Sequence, residues 1–123
     1  MEEIKGNFER IVGIEVVCRE KEKTLLKLPF REDLLNPRGF MHGGVICSLA
    51  DTALAVCASV VFPQRKFSTL KLTVEFKRPV RTESLFASAR ILRKRDKSFY
   101  GTVEIYDEHG NLVAGAEGIF FLS

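Results

Sequence analysis

One short segment gathers most of the residues able to do chemistry: Asn36-Pro37-Arg38-Gly39-Phe40-Met41-His42-Gly43-Gly44, followed by Asp51. Gly43 and Gly44 open a long uncharged run, and glycines at a helix start leave backbone N–H groups uncovered, so that an oxygen can approach them closely. Helix N-termini also favour negative charge. A carbonyl that gathers charge as it is attacked would be stabilised there, by roughly 2.7–4 kcal/mol per donor in acyl-transfer sites. Asp51 lies eight residues beyond Gly43. That is about 12 Å along a helix axis, too far to serve its own N-terminus. Packed antiparallel on a second copy across a two-fold, the same helix would set Asp51 of one chain beside the Gly43 and Gly44 amides of the other, giving two composite sites. There Asp51 would act as a general base on water or attack the carbonyl itself. The residues do not choose between the two.

These residues need a frame. From Gly43 to Phe62 the only charge is Asp51, and the Ala, Leu and Val content indicates a helix of about five turns that must be buried nearly all round. Pro63 closes it. Residues 7–12 read as a short helical turn, and the apolar stretches Ile14–Cys18 and Thr24–Phe30, joined by a charged turn, read as a hairpin. Arg31 to His42 is a loop rich in turn formers. Beyond the helix, Leu70, Leu72, Val74 and Phe76 alternate with Lys71, Thr73, Glu75 and Lys77, the pattern of a one-sided strand. Further strands run from Leu85 to Arg93, Phe99 to Tyr106 and Asn111 to Leu122, and their short links imply an antiparallel meander. The expected fold is α+β: about five or six antiparallel strands wrapped around one long central helix, as a single domain over 1–123. Such a sheet leaves a long edge and part of the helix uncovered, which dimerisation would remedy.

Composition narrows the function classes. Hydrophobic residues make up 46% and charged residues 28% of the chain, which places it among globular proteins. The net charge of +3 is slight and no basic run is long enough for a nucleic-acid arm, so no nucleic-acid partner is expected. Cys18, Cys47 and Cys57 are odd in number and lack metal-ligand spacing, which argues against a disulfide framework and against a metal site. A reducing, cytoplasmic location fits, and the N-terminus lacks the order of a secretory signal. The apolar helix is long enough to span a bilayer. A carboxylate at its centre costs about 2.5–3.5 kcal/mol on insertion scales, so a buried helix and no membrane partner is the reading. In a soluble fold an ionised carboxylate amid apolar neighbours is expensive unless paired or functional.

The spacing N-x-x-G-x-x-H-G-G-x6-D resembles the motif of hotdog thioesterases of the PaaI-like, phenylacetic-acid-degradation type, within the 4-hydroxybenzoyl-CoA thioesterase superfamily. LADTALA looks like the family's helix and TLKLTVEFKRPV like its next strand, so the likeness runs from about Asn36 to the end. It implies an acyl-CoA thioesterase assembled as a homodimer, often a dimer of dimers, with no cofactor beyond the coenzyme A of the substrate. By resemblance Asp51 is nucleophile or base, Gly43 supplies the oxyanion N–H, and His42 and Asn36 shape the site. Thr69 falls where relatives carry a Ser or Thr that assists the water. The plainer roles are a helix-capping loop residue for His42, a turn former for Asn36, a strand residue for Thr69, tight packing for Gly44 and a paired carboxylate for Asp51. Coenzyme A brings phosphates, for which Arg78 and Arg81 lead the candidate cations, with Arg90, Arg93, Lys94 and Arg95 behind them. A hydratase or dehydratase of the same fold, or a non-catalytic acyl-CoA-binding protein, are the competing functions; HGG-x6-D favours hydrolysis, and a mere binding pocket has little use for Asp51.

Overall fold

The computed structural model describes Ile4 and residues 6–123. Its elements are α1 (Asn7–Val12), β1 (Glu15–Arg19), β2 (Thr24–Leu28), α2 (Gly43–Val61), β3 (Phe67–Phe76), β4 (Leu85–Lys94), β5 (Ser98–Asp107) and β6 (Leu112–Leu122). The strands form one antiparallel sheet in the order β1-β2-β4-β5-β6-β3, and α2 packs on its inner face, as the alternation and the uncharged run anticipate. The loop from Arg31 to His42 holds a single 3-10 turn at Glu32–Leu34 and one bridge between Leu35 and Met41. At the far hairpin His109 is fixed in a turn whose centre is Asp107: the carboxylate accepts the His109 and Asn111 N–H groups at 2.9 Å each.

Inward-facing residues of the strands meet α2 in one core. Leu26 and Leu28, Leu85 and Ala87, and Ile105 and Ala114 are fully buried against Leu49, Ala53 and Leu54; each large aliphatic side chain so buried contributes about 1.5–3 kcal/mol. An aromatic cluster closes the C-terminal end of the helix, with Phe62 and Phe120 stacked on Phe99 at 5.4 and 4.8 Å and Phe67 edge-on to Phe99. Gly101 and Gly118, opposite each other on β5 and β6, make the hollow that Leu54 enters. A Cβ at either would lie 2.7 Å from a Leu54 methyl. The cysteines pack: Cys57 is buried, Cys18 and Cys47 half-buried, and burial pushes the Cys47 thiol up.

Two expectations need correction. Helix α2 is not buried all round: nine of its nineteen residues are buried, and Gly44, Ser48, Asp51, Ala55 and Ser59 form a less buried stripe along its length. The open sheet curls only part of the way around the helix and leaves this stripe uncovered between its two edges. Strand β3 is one of those edges, and its sidedness is interrupted. Thr69 pairs with Phe120 and Lys71 with Ile119, so Leu70 is the extra residue of a bulge and stands 64% exposed. The bulge changes the parity of the strand. Phe67 and Thr69 before it, and Leu72 and Val74 after it, therefore share the inner face, where strict alternation would turn Thr69 outward.

Candidate active site

The site forms where α2 begins and along its uncovered stripe. His42 is the N-cap, with extended backbone (φ −61°, ψ 132°), and its Nδ1 accepts the Gly44 N–H at 2.9 Å. Its own N–H donates to the Leu34 carbonyl at 2.9 Å. Ring capping uses the Gly44 amide, and the amides of Val45 and Ile46 turn back to the His42 carbonyl. That leaves the Gly43 N–H as the first-turn donor without an acceptor among the described residues. Phe76, at the end of β3, lays its ring 3.5 Å from the place where a Gly43 Cβ would stand, so one side of this amide is walled by an aromatic ring.

The loop ahead of His42 is tied down by Asn36. Its Oδ1 accepts the Arg38 and Phe40 N–H groups at 2.9 and 3.2 Å, its N–H donates to the Phe40 carbonyl, and Gly39 takes a left-handed φ of +85° to complete the turn. The turn-former role of Asn36 is thus the one seen, and through it Asn36 fixes the approach to His42. Met41 N–H donates to the Val80 carbonyl at 2.7 Å, which brings the loop carrying Arg78 and Arg81 to the same end of the helix. The Arg81 guanidinium lies 4.5 Å over the Phe40 ring. Arg38, Arg78 and Arg81 are exposed, and none is ion-paired to a described carboxylate. Arg90, Arg93, Lys94 and Arg95 lie on β4 and its turn toward β5, at the other end of the helix, where Arg93 covers Tyr100.

Asp51 sits half-buried in the middle of the stripe, and its Oδ1 accepts a 2.6 Å hydrogen bond from the Thr69 hydroxyl. The bulge at Leu70 makes this contact possible by turning Thr69 inward. Asp51 and Thr69 are therefore brought together, while Gly43 and Asp51 of one chain stay about two turns apart. Within one protomer the parts for acyl chemistry are a carboxylate with a hydroxyl beside it and, separately, a glycine amide at a positive helix end. Sequence reading did not find Arg38; it names Phe40, Phe62, Phe67 and Phe76 as candidates to line a pocket, with core packing explaining each as well, and the structure sets Phe40 under Arg81 and Phe76 beside Gly43.

Residues 38–114, from the loop before His42 to the third residue of β6, match the family described as the thioesterase superfamily. The chain belongs to that superfamily. It is a thioester hydrolase of the hotdog fold that the HGG-x6-D spacing implies. Among similar proteins, the medium/long-chain acyl-CoA thioesterase YigI of Escherichia coli K12 is 26% identical over 131 aligned positions, covering 94% of this chain and 84% of YigI. A conserved protein of Pseudomonas aeruginosa superposes with a TM-score of 0.89 at 28% identity, covering 97% of this chain and 95% of that one. The PaaI protein of the E. coli phenylacetic acid degradation operon superposes with a TM-score of 0.88 at 22% identity over 95% of this chain and 84% of its own, a likeness of fold.

Proposed function

We propose that this thioesterase hydrolyses acyl-coenzyme A esters in two composite sites of a homodimer, with Asp51 of one chain as general base or nucleophile and the Gly43 N–H of the other as oxyanion donor. One observation carries the reading: Asp51, the only charge on α2, lies with Thr69 on the uncovered stripe, beyond reach of the one unengaged amide at the helix start. A two-fold that packs the stripes antiparallel removes that separation. The small residues Gly44 and Ser48 let two helices approach closely, and the ten-residue edge strand β3 with exposed Leu70 and Phe76 is covered by the same association. Exposed Ile119 and Phe121 on the outer face of β6 support a further pairing of dimers.

In the general-base route Asp51 takes a proton from water held beside the Thr69 hydroxyl, and the water oxygen bonds to the thioester carbon. The carbonyl oxygen becomes an anion at the Gly43 N–H. Collapse breaks the C–S bond, and the thiolate of coenzyme A takes the proton back from Asp51. Attack by Asp51 itself gives a mixed anhydride that water then opens, with the same products. A single turnover in ¹⁸O water followed by peptide mass analysis separates the routes, since only the anhydride can pass label into Asp51. His42 holds the first turn of the helix in shape, Asn36 holds the loop before it, and Gly44 contributes by donating its N–H to the His42 ring. Arg78 and Arg81 take the phosphates of coenzyme A.

The test is thiol release from acyl-CoA esters by the parent, Asp51→Asn and Gly43→Pro. Proline at the first helical position keeps the helix start while deleting the N–H, and the extended backbone of His42 accepts a following proline. Each variant alone should lose about a hundredfold or more in rate. Co-refolded in equal amounts, the two should recover about a quarter of the parent activity, because half the dimers are mixed and each mixed dimer has one intact site. No recovery on mixing would place the catalytic groups within one chain.

A further inference from the structure

Beside the stripe, on the side away from β3, a cleft of about 180 Å³ opens between α1, β1 and the second half of α2. Its walls are Ile4, Val16, Ala55 and Val56, with Gly6 and Glu9 at the α1 rim and Thr52, Arg19 and Ser59 completing it. Along α2 the lining runs from Thr52 to Ser59, about 10 Å of axis at 1.5 Å per residue. Asp51 immediately precedes the lining, and Ala55 is one turn beyond it, so the carboxylate stands at the end of the cleft nearer the helix start. The other end is bridged. Arg19 Nη2 donates to Ser59 Oγ at 2.8 Å, and Ser59 Oγ donates to the Val56 carbonyl at 2.6 Å, which ties the last residue of β1 to the last turns of α2.

Resting on the thioesterase reading above, we infer that this cleft is the acyl subsite of the Asp51 centre, that it takes acyl groups of up to about eight carbons, and that the Arg19–Ser59 bridge is the floor that sets the limit. Size argues for this length. An extended backbone advances about 3.3–3.6 Å per three bonds, so the lined length takes about eight bonds. An apolar cavity of about 150 Å³ holds benzene, and this cleft is slightly larger. The floor argues for the cut-off. A longer chain must break a hydrogen bond to a guanidinium or set methylenes against a charged group, and a shorter chain meets neither cost. The E. coli relative is named for medium and long chains; the inference separates this chain from the long-chain part of that range.

Thiol release is measured from acetyl-, hexanoyl-, octanoyl-, dodecanoyl- and palmitoyl-CoA. The parent should be best on hexanoyl or octanoyl, with kcat/KM at least about tenfold lower on dodecanoyl. Arg19→Ala opens the floor and should raise the dodecanoyl-to-hexanoyl ratio about tenfold; Ala55→Phe fills the cleft near Asp51 and should lower the octanoyl-to-acetyl ratio about tenfold. Both readouts are ratios within one preparation, so a loss of folded protein cancels, and either variant serves if the other does not fold. Equal kcat/KM on palmitoyl and hexanoyl, or ratios that stay at the parent value in the variants, overturns the inference while leaving the thioesterase standing. Release of thiol from no ester in the panel overturns the acyl-CoA reading and this inference with it.

Discussion

The two faces of α2 are built from opposite materials. Toward the sheet it presents Leu49, Ala53, Leu54 and Cys57, each at most 1% exposed. Along the uncovered stripe it presents Gly44, Ser48, Asp51, Ala55 and Ser59, none of them large and apolar and one of them charged. The same nineteen residues thus hold the fold on one side and place the proposed reactive group on the other. A core face tolerates no unpaired charge, so the carboxylate survives only where the sheet stops short. The gap in the fold and the proposed site are the same region of the molecule.

If that division holds, substitutions on the two faces separate stability from rate. The largest loss of stability is expected for Leu54→Ala, fully buried in the hollow over Gly101 and Gly118: about 3 kcal/mol, within the usual 2–5 for such deletions, read by urea denaturation, with kcat per folded molecule within about twofold of the parent. Asp51→Asn is the mirror image. It should cost about a hundredfold in kcat, equivalent to about 2.7 kcal/mol of barrier, yet shift stability by no more than about 0.5 kcal/mol. A large drop in stability there would turn Asp51 into a structural carboxylate and dissolve the comparison.

The hollow itself sharpens the point. At Gly101 an added methyl would meet the Arg90 carbonyl oxygen as well as Leu54, both at 2.7 Å, and backbone cannot step aside. Gly101→Ala should therefore cost about 1–3 kcal/mol. At Gly118 the nearest atoms are side-chain ends, of Leu54 and Phe120, so Gly118→Ala should cost less when the two are compared in one melting series. The smallest effect is expected at Thr69, whose hydroxyl touches Asp51: Thr69→Ala should lower kcat about tenfold, about 1.4 kcal/mol, and Thr69→Ser should restore most of it. Equal kcat in the parent and Thr69→Ala would reduce this residue to an edge-strand position.

Arg81 offers a check on how the substrate is held. Arg81→Gln should raise KM for an acyl-CoA about tenfold and leave KM for the same acyl group on N-acetylcysteamine, which lacks the nucleotide, where it was. A parallel rise on both thioesters would move Arg81 from phosphate binding to the support of the Phe40 loop.

Much of this was legible residue by residue. The helix from Gly43, the strands of the meander and the loop at Asn36 follow from apolar periodicity and turn chemistry, because these act over a few neighbours. The glycine pair and Asp51 stood out because an uncharged run makes a single carboxylate conspicuous. Leu70 was misread because a bulge leaves the alternation of side-chain types intact while shifting the pairing by one, and pairing is a property of two strands. The full burial expected for α2 failed for a related reason: composition gives the apolar content of a helix, and only the closing of the sheet decides how much of it is covered.

By itself, then, the sequence determined the kinds of element, the order in which they come and the identity of the groups able to react, since each is written in local pattern and residue type. The tertiary structure alone decided that Thr69 turns inward to Asp51, that His42 uses the Gly44 amide and frees that of Gly43, that Phe76 walls that amide, and that Arg19 reaches Ser59 across forty residues of chain. Those are contacts between segments remote in sequence. They depend on sheet curvature and register, which no single segment encodes.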